Sequence, residues 1–166
     1  KGEGAPSPFP LLPSLSLSDD AGRTILLSHA PERIVSLAPH ATELLFAVGA
    51  GARVVAVDRN SDEPPAARGL PKLSSFPQPD VEALLALQPD LVVAWGPGVA
   101  PAQLARLESL GIAVFVSQPR TLDDIASTLR RFALLAPDPS VGAALADAFA
   151  ARLAAIRARY SRLRPV

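Results

Sequence analysis

Short unbroken apolar runs alternate along this chain with stretches in which apolar residues recur three and four positions apart, as expected of buried strands interleaved with amphipathic helices. The plan is clearest at residues 31–49, PERIVSLAPHATELLFAVG. Residues 33–37 read as a buried strand. Ala41, Leu44, Leu45 and Val48 then follow the i, i+3, i+4, i+7 spacing of one helical face, and Gly49 ends it. Strand runs directly into helix, with Ser36, Leu37, Ala38, Pro39 and His40 at the join. In an open α/β sheet such joins lie at the carboxyl ends of the strands, the edge where ligands gather.

Before this unit, residues 15–27 have the form of a hairpin: LSLS, a turn at Asp19, Asp20, Ala21 and Gly22, then RTILL. After it, residues 54–57 read as a second strand and residues 58–63 as a polar loop. Pro64 and Pro65 can open a short helix, because proline at the first helical position gives up no needed hydrogen bond, and Gly69 closes it. Residues 72–74 read as a brief strand. Asp80 caps a helix carrying Val81, Leu84 and Leu85 on one face, and residues 91–94 form a buried strand. Leu104, Leu107 and Leu110 mark another helix, stopped by Gly111 before a strand at residues 112–116. Leu122, Ile125, Leu129 and Phe132 keep a helical period, and Pro137 and Pro139 separate them from a last helix.

That last helix aligns Val141, Leu145, Phe149, Leu153, Ile156, Tyr160 and Leu163 in one stripe, about 35 Å long at about 1.5 Å per residue. A domain of this size has little surface left to cover such a stripe, and no capping element follows it. The expectation is a fragment whose helix continues into a second lobe, with a homodimer through Phe149, Ile156 and Tyr160 as a way to hide the stripe. The predicted organisation is a flexible leader at residues 1–14, rich in Pro, Ser and Gly, an α/β lobe at 15–139 and the long helix at 140–166. The predicted fold class is α/β, a three-layer lobe with a mostly parallel central sheet, an N-terminal hairpin and a long C-terminal helix.

Composition narrows the functional classes. The 166 residues carry 16 Lys plus Arg against 16 Asp plus Glu, so nothing favours nucleic acid or an anionic membrane surface. No unbroken apolar run approaches the roughly 20 residues of a membrane span. The chain has no cysteine, which excludes disulfides, thiol nucleophiles and cysteine-bound metals and agrees with an oxidising compartment. It shows no signal peptide and does not begin with methionine, so a processed or trimmed start is expected.

Candidate chemistry concentrates at the strand ends. Trp95, the only tryptophan, sits where a buried strand gives way to Gly96, Pro97 and Gly98, and Phe76 lies in a Pro-flanked loop after residues 72–74. Two aromatics there either form a flat apolar wall for a large ligand or cap the core. Residues 96–101, GPGVAP, approach the dinucleotide fingerprint. Phosphate binding, however, needs free backbone N–H groups, and Pro97 and Pro101 remove two of them. His40 is a proton carrier, a metal ligand or a capping residue. With Glu43 it offers two ligands at helical spacing, whereas a zinc site needs three or four. His29 belongs to the hairpin region. Asp58, Arg59, Asn60, Asp62 and Glu63 are either solvated turn residues or hydrogen-bonding groups of a site, and Glu82 reads as a first-turn acid favoured by the helix dipole. No GxSxG elbow and no acid–base pair are evident, so no catalytic residue and no metal ligand set is assigned.

Together the segments PERIVSLAPHATELLFAVGAGARVVAVD, NSDEPP, VEALLALQPDLVVAW and LESLGIAVF resemble the extracytoplasmic solute-binding proteins of ABC importers for cobalamin, siderophores and haem, with the periplasmic cobalamin-binding branch nearest. The resemblance spans residues 15–166. It implies two α/β lobes joined by one long helix, ligand held between them, no enzymatic activity and no resident cofactor. It also implies cobalamin or a related corrinoid as transported ligand, a membrane permease as partner and a periplasmic or extracytoplasmic location, with or without a membrane tether. By motif position Trp95 and Phe76 match ligand-facing aromatics, Phe76 standing where tryptophan is usual, and Asn60 stands where tyrosine is usual. Pro39, His40, Arg59 and Asn60 join the implied ligand-binding set, and Glu82 matches an acid that docks the permease. The alternatives are a haem- or siderophore-binding member, in which His40 is the candidate axial ligand, and a nucleotide-dependent α/β enzyme built on the turn at residues 95–101.

Overall fold

In a computed structural model, which describes residues 15–75 and 79–161, an antiparallel hairpin of β1 (Leu15–Ser18) and β2 (Thr24–Leu27) precedes a five-stranded parallel sheet. The sheet comprises β3 (Ile34–Leu37), β4 (Val54–Asp58), β5 (Lys72–Leu73), β6 (Leu91–Trp95) and β7 (Ala113–Ser117), in the order β5-β4-β3-β6-β7. Helices α1 (Pro39–Ala47), α2 (Val81–Ala86), α3 (Pro101–Ser109), α4 (Leu122–Ala133) and α5 (Pro139–Tyr160) complete the described chain.

The near-continuous apolar runs of β3 and β6 follow from burial on both faces. Ile34, Leu91, Val93 and Phe115 enter one core with Leu45 of α1, Leu129 and Phe132 of α4, and Leu17, Ile25 and Leu27 of the hairpin. Val35, Val92, Ala94 and Val114 turn the other way, onto Leu84 of α2 and Leu107 of α3. Three layers result. Chain order moves outward from β3 to β4 and β5, then returns to β6 on the other side of β3. The boundary between β3 and β6 is therefore the switch point at which a ligand crevice forms.

Helix ends obey local chemistry. Thr121 Oγ1 accepts from Asp124 N at 3.2 Å, and Asp124 Oδ2 accepts from Thr121 N at 2.8 Å, a reciprocal cap that opens α4. Gly49, at φ +86°, lets the chain reverse after α1 in a conformation that costs other residues more.

Several element boundaries differ from the periodicity reading by a residue. The more consequential differences are tertiary. The hairpin turn docks on the outer edge of β7: Asp20 N donates to Val116 O at 2.9 Å, Val116 N to Asp19 Oδ2 at 3.2 Å and Gln118 N to Asp20 Oδ2 at 2.5 Å. Arg131 holds it from α4, donating to Asp20 Oδ1 at 2.6 Å while its guanidinium lies 5.2 Å from the Phe115 ring centre. These side chains occupy hydrogen-bonding positions that an edge strand would otherwise expose.

The predicted stripe on α5 is not a single face. Gly142, Ala146 and Leu153 are buried and Phe149 packs against the core, whereas Val141, Leu145, Ile156 and Tyr160 remain exposed. Gly142 explains the split: a Cβ there would lie 2.6 Å from Ala133 Cβ and 2.8 Å from Val48 Cβ, so the small residues are what approach α4 and α1. At 22 residues, α5 is also long and apolar enough to cross a membrane by length and composition, although charged residues interrupt its apolar run. Arg130–Asp147 and Arg157–Asp123 ion pairs tie α5 to α4.

Candidate functional site

Four successive strand ends line one cleft of about 460 Å³. The β3–α1 join supplies Leu37, Ala38, Pro39 and His40; the end of β4 supplies Asp58 and Asn60; Ser75 follows β5; Trp95, Gly98 and Val99 follow β6. The cleft thus sits over the β3/β6 switch point.

Trp95 is the last residue of β6 and the one residue of that strand whose side chain leaves the core, with 48 % of its surface exposed. The three residues after it form a tight helical turn, with Val99 N donating to Gly96 O at 3.5 Å. That turn offers little to a phosphate. Pro97 and Pro101 have no N–H, Ala100 N already donates to Gln103 Oε1 at 3.2 Å, and Gln103 N donates to Ala100 O at 2.9 Å.

His40 lies in the first turn of α1, half-buried at the cleft wall, with Nε2 3.0 Å from Ser117 Oγ at the end of β7. Burial pushes its pKa below the ordinary 6.5, against the opposing pull of Asp20 and Glu43. The imidazole therefore stays neutral at neutral pH. Among the described residues no three His, Cys, Asp or Glu side chains converge on a metal position.

Asp58 decides between the two readings of residues 58–63 in favour of site residues, for itself and Asn60. It ends β4 at 2 % exposure, accepts from Asn60 N at 2.9 Å and accepts the Ser75 hydroxyl proton, so it shapes the floor of the cleft. Ser61 is buried as well. Beneath the cleft, Thr42 Oγ1 lies 2.8 Å from Ser36 Oγ, 3.0 Å from Ser61 Oγ and 3.2 Å from Ala38 O, linking β3, α1 and the β4 loop.

Pro39, His40, Asn60 and Trp95 therefore meet at one cleft. Arg59 is exposed at the same strand end and is not among the lining residues. Glu82 stands apart, exposed in the first turn of α2 behind the Asp80 cap, where Oδ1 accepts from Ala83 N at 3.0 Å. His29 is exposed near the hairpin, its Nδ1 3.0 Å from Ala30 O. Phe76 lies outside the described residues, as do residues 1–14 and Leu163 of the predicted α5 stripe. Ser75 and Ser117 were not singled out from sequence, and Gly98 and Val99 were read only as part of the turn at residues 96–101. A serine ending a buried strand was the available signal for Ser117.

Residues 34–166 match a family profile described as periplasmic binding protein. The chain belongs to that family. Among curated members, the vitamin B12-binding protein of Vibrio cholerae is 41 % identical over 135 residues, covering 81 % of this chain and 49 % of the relative. The crystal structure of periplasmic vitamin B12 binding protein BtuF of Vibrio cholerae aligns with a TM-score of 0.78 at 40 % identity, over 82 % of this chain and 54 % of that one. The periplasmic heme-binding protein RhuT from Roseiflexus sp. RS-1 aligns with a TM-score of 0.68 at 32 % identity, over 81 % of this chain and 52 % of that one. The chain spans about half the length of the curated relatives it matches. Its parallel α/β lobe aligns with those structures.

Proposed function

We propose that this chain forms the ligand-binding lobe of an extracytoplasmic solute-binding protein, lining one wall of a cleft for cobalamin or a related corrinoid that is then handed to an ABC importer permease. The observation that carries this reading is Trp95: a half-exposed indole on the rim of the strand-end cleft, in a chain 41 % identical to a vitamin B12-binding protein. A corrinoid is broad, flat-faced and fringed with amides. An indole face supplies contact area at small entropic cost, and Asn60, His40 and backbone groups offer partners to amides. Pro39 and Arg59 flank those partners at the same strand ends. Residues 15–139 act as one lobe, and the long helix that follows leads to a second.

Relatives carry names of binding proteins, and binding requires no bond to be made or broken. Glu82 is proposed as the permease contact, an exposed acid that is not among the residues lining the cleft. A periplasmic location follows the family. Self-association is proposed through Ile156 and Tyr160, a narrower face than the full stripe, and a strictly monomeric sedimentation profile at high concentration would remove it. A haem-binding version is the second reading, favoured by the RhuT likeness and by an imidazole kept unprotonated at the cleft wall.

Equilibrium dialysis of the chain against cyanocobalamin, haemin and NAD separates these readings. Saturable retention of the corrinoid in preference to the others is the expected result, with a dissociation constant weaker than micromolar because one wall supplies part of the contacts. A haem Soret band at saturation favours the second reading, and selective retention of NAD rules out both.

A further inference from the structure

The turn after β6 contains two glycines for two different reasons. A Cβ on Gly96 would lie 2.8 Å from Gln118 Oε1, the far end of a flexible side chain, and 3.1 Å from Val116 Cγ1. A Cβ on Gly98 would lie 2.9 Å from Trp95 Cε3 and 3.7 Å from Cδ2 and Cζ3. The benzenoid half of the indole fills the space that a side chain at 98 would take. Backbone geometry does not ask for glycine there: the left-handed glycines among the described residues are Gly22, Gly49 and Gly111.

We propose that Gly98 is a positioning residue whose bare Cα seats the Trp95 indole and sets the ring's tilt at the cleft rim, so that the site selects flat-faced macrocyclic ligands. The selection rests on the corrinoid reading above; the seat itself does not. Strand β6 fixes the Trp95 Cα–Cβ direction but leaves its side-chain torsions free, and a half-exposed indole without support would spread over several rotamers. Ordering such a ring at the moment of binding weakens affinity, whereas a ring already held against Gly98 meets the ligand in place. The seat is local, three residues along the chain.

Trp95 is the only tryptophan, so intrinsic tryptophan signals report this ring alone. In Gly98→Ala without ligand, the near-UV circular dichroism of the indole should collapse and acrylamide quenching should rise, while Gly96→Ala leaves both unchanged. Cyanocobalamin affinity measured by equilibrium dialysis should fall about 2- to 10-fold, the range for ordering one side chain. In a Trp95→Ala background, adding Gly98→Ala should alter neither melting temperature nor affinity, because the clash partner is gone. Unchanged indole spectra in Gly98→Ala overturn the seat. Altered spectra with unchanged affinity overturn its role in recognition, and an equal effect of Gly98→Ala in both backgrounds assigns the clash elsewhere and overturns the proposal. Failure of the parent chain to retain cyanocobalamin defeats the corrinoid reading and the selection that rests on it, while the ligand-free spectra still decide the seat.

Discussion

His40 Nε2 lies 3.0 Å from Ser117 Oγ, joining the helix that follows β3 to the end of β7 across the intervening β6. The contact draws the imidazole into the cleft wall, and the resulting desolvation lowers its pKa from 6.5. Above that value both folded and unfolded states hold a neutral ring. Below it the unfolded chain takes up the proton first, so stability falls as pH drops from about 7 through the lowered native value. Melting temperatures at about pH 7.5 and 5.5 should therefore diverge more for the parent than for His40→Gln, which keeps an amide facing Ser117. Equal pH sensitivity in the two proteins would dissociate the effect from His40.

Gly142 tests the α5 interface. Alanine in a helix interior gains about 1 kcal/mol over glycine by propensity. Here the new methyl would meet Ala133 Cβ at 2.6 Å, Val48 Cβ at 2.8 Å and Ala133 Cα at 3.0 Å, none of which is a flexible end. Overpacking of this kind costs about 1–3 kcal/mol, so the clash outweighs the propensity. Gly142→Ala should lower the urea midpoint with an unchanged slope, and a raised midpoint would show that α5 can lift off α4 freely.

Thr42 binds three elements through one hydroxyl. Thr42→Val keeps the volume but removes the Thr42 partner of two fully buried serines: Ser36 Oγ keeps its bond to Ala38 O, and Ser61 Oγ is left short. A loss of about 2 kcal/mol is expected in chemical denaturation, within the range for a buried group left unsatisfied. A change below about 0.5 kcal/mol would mean that the two serines re-pair.

Trp95→Ala should separate binding from folding. The indole is 48 % exposed, so its removal should leave the melting temperature nearly unchanged. Cyanocobalamin affinity should fall by about 2 kcal/mol, typical of an aromatic anchor, or about 30-fold in dialysis. A loss of less than about threefold would take the indole out of the ligand wall.

Much of the lobe was legible one segment at a time. The helical spacing after Pro39 and the apolar run before Trp95 mark their elements, because amphipathic period and two-sided burial are recorded in neighbouring residues. The strand-end location of the cleft followed from the same reading. The two readings of Asp58 stayed open because its burial depends on Ser75 and on the fold of the β4 loop, which composition does not reveal. The α5 stripe was legible in part: Val141, Leu145, Ile156 and Tyr160 are exposed, as expected of a stripe the lobe does not cover. Large apolar residues dominate a periodicity count, but close helix packing on α4 and α1 selected Gly142 and Ala146 instead.

By itself the amino-acid order determined the alternation of strand and helix and the place of the tryptophan at a strand end, but not its exposure. Tertiary structure alone decided that β3 and β6 are neighbours, that the hairpin turn seals the β7 edge, and that His40 meets Ser117. The physical reason is one of range. Periodicity, caps and turns act between residues a few positions apart, whereas burial and hydrogen-bond pairing across the sheet arise only once distant segments share the same small volume.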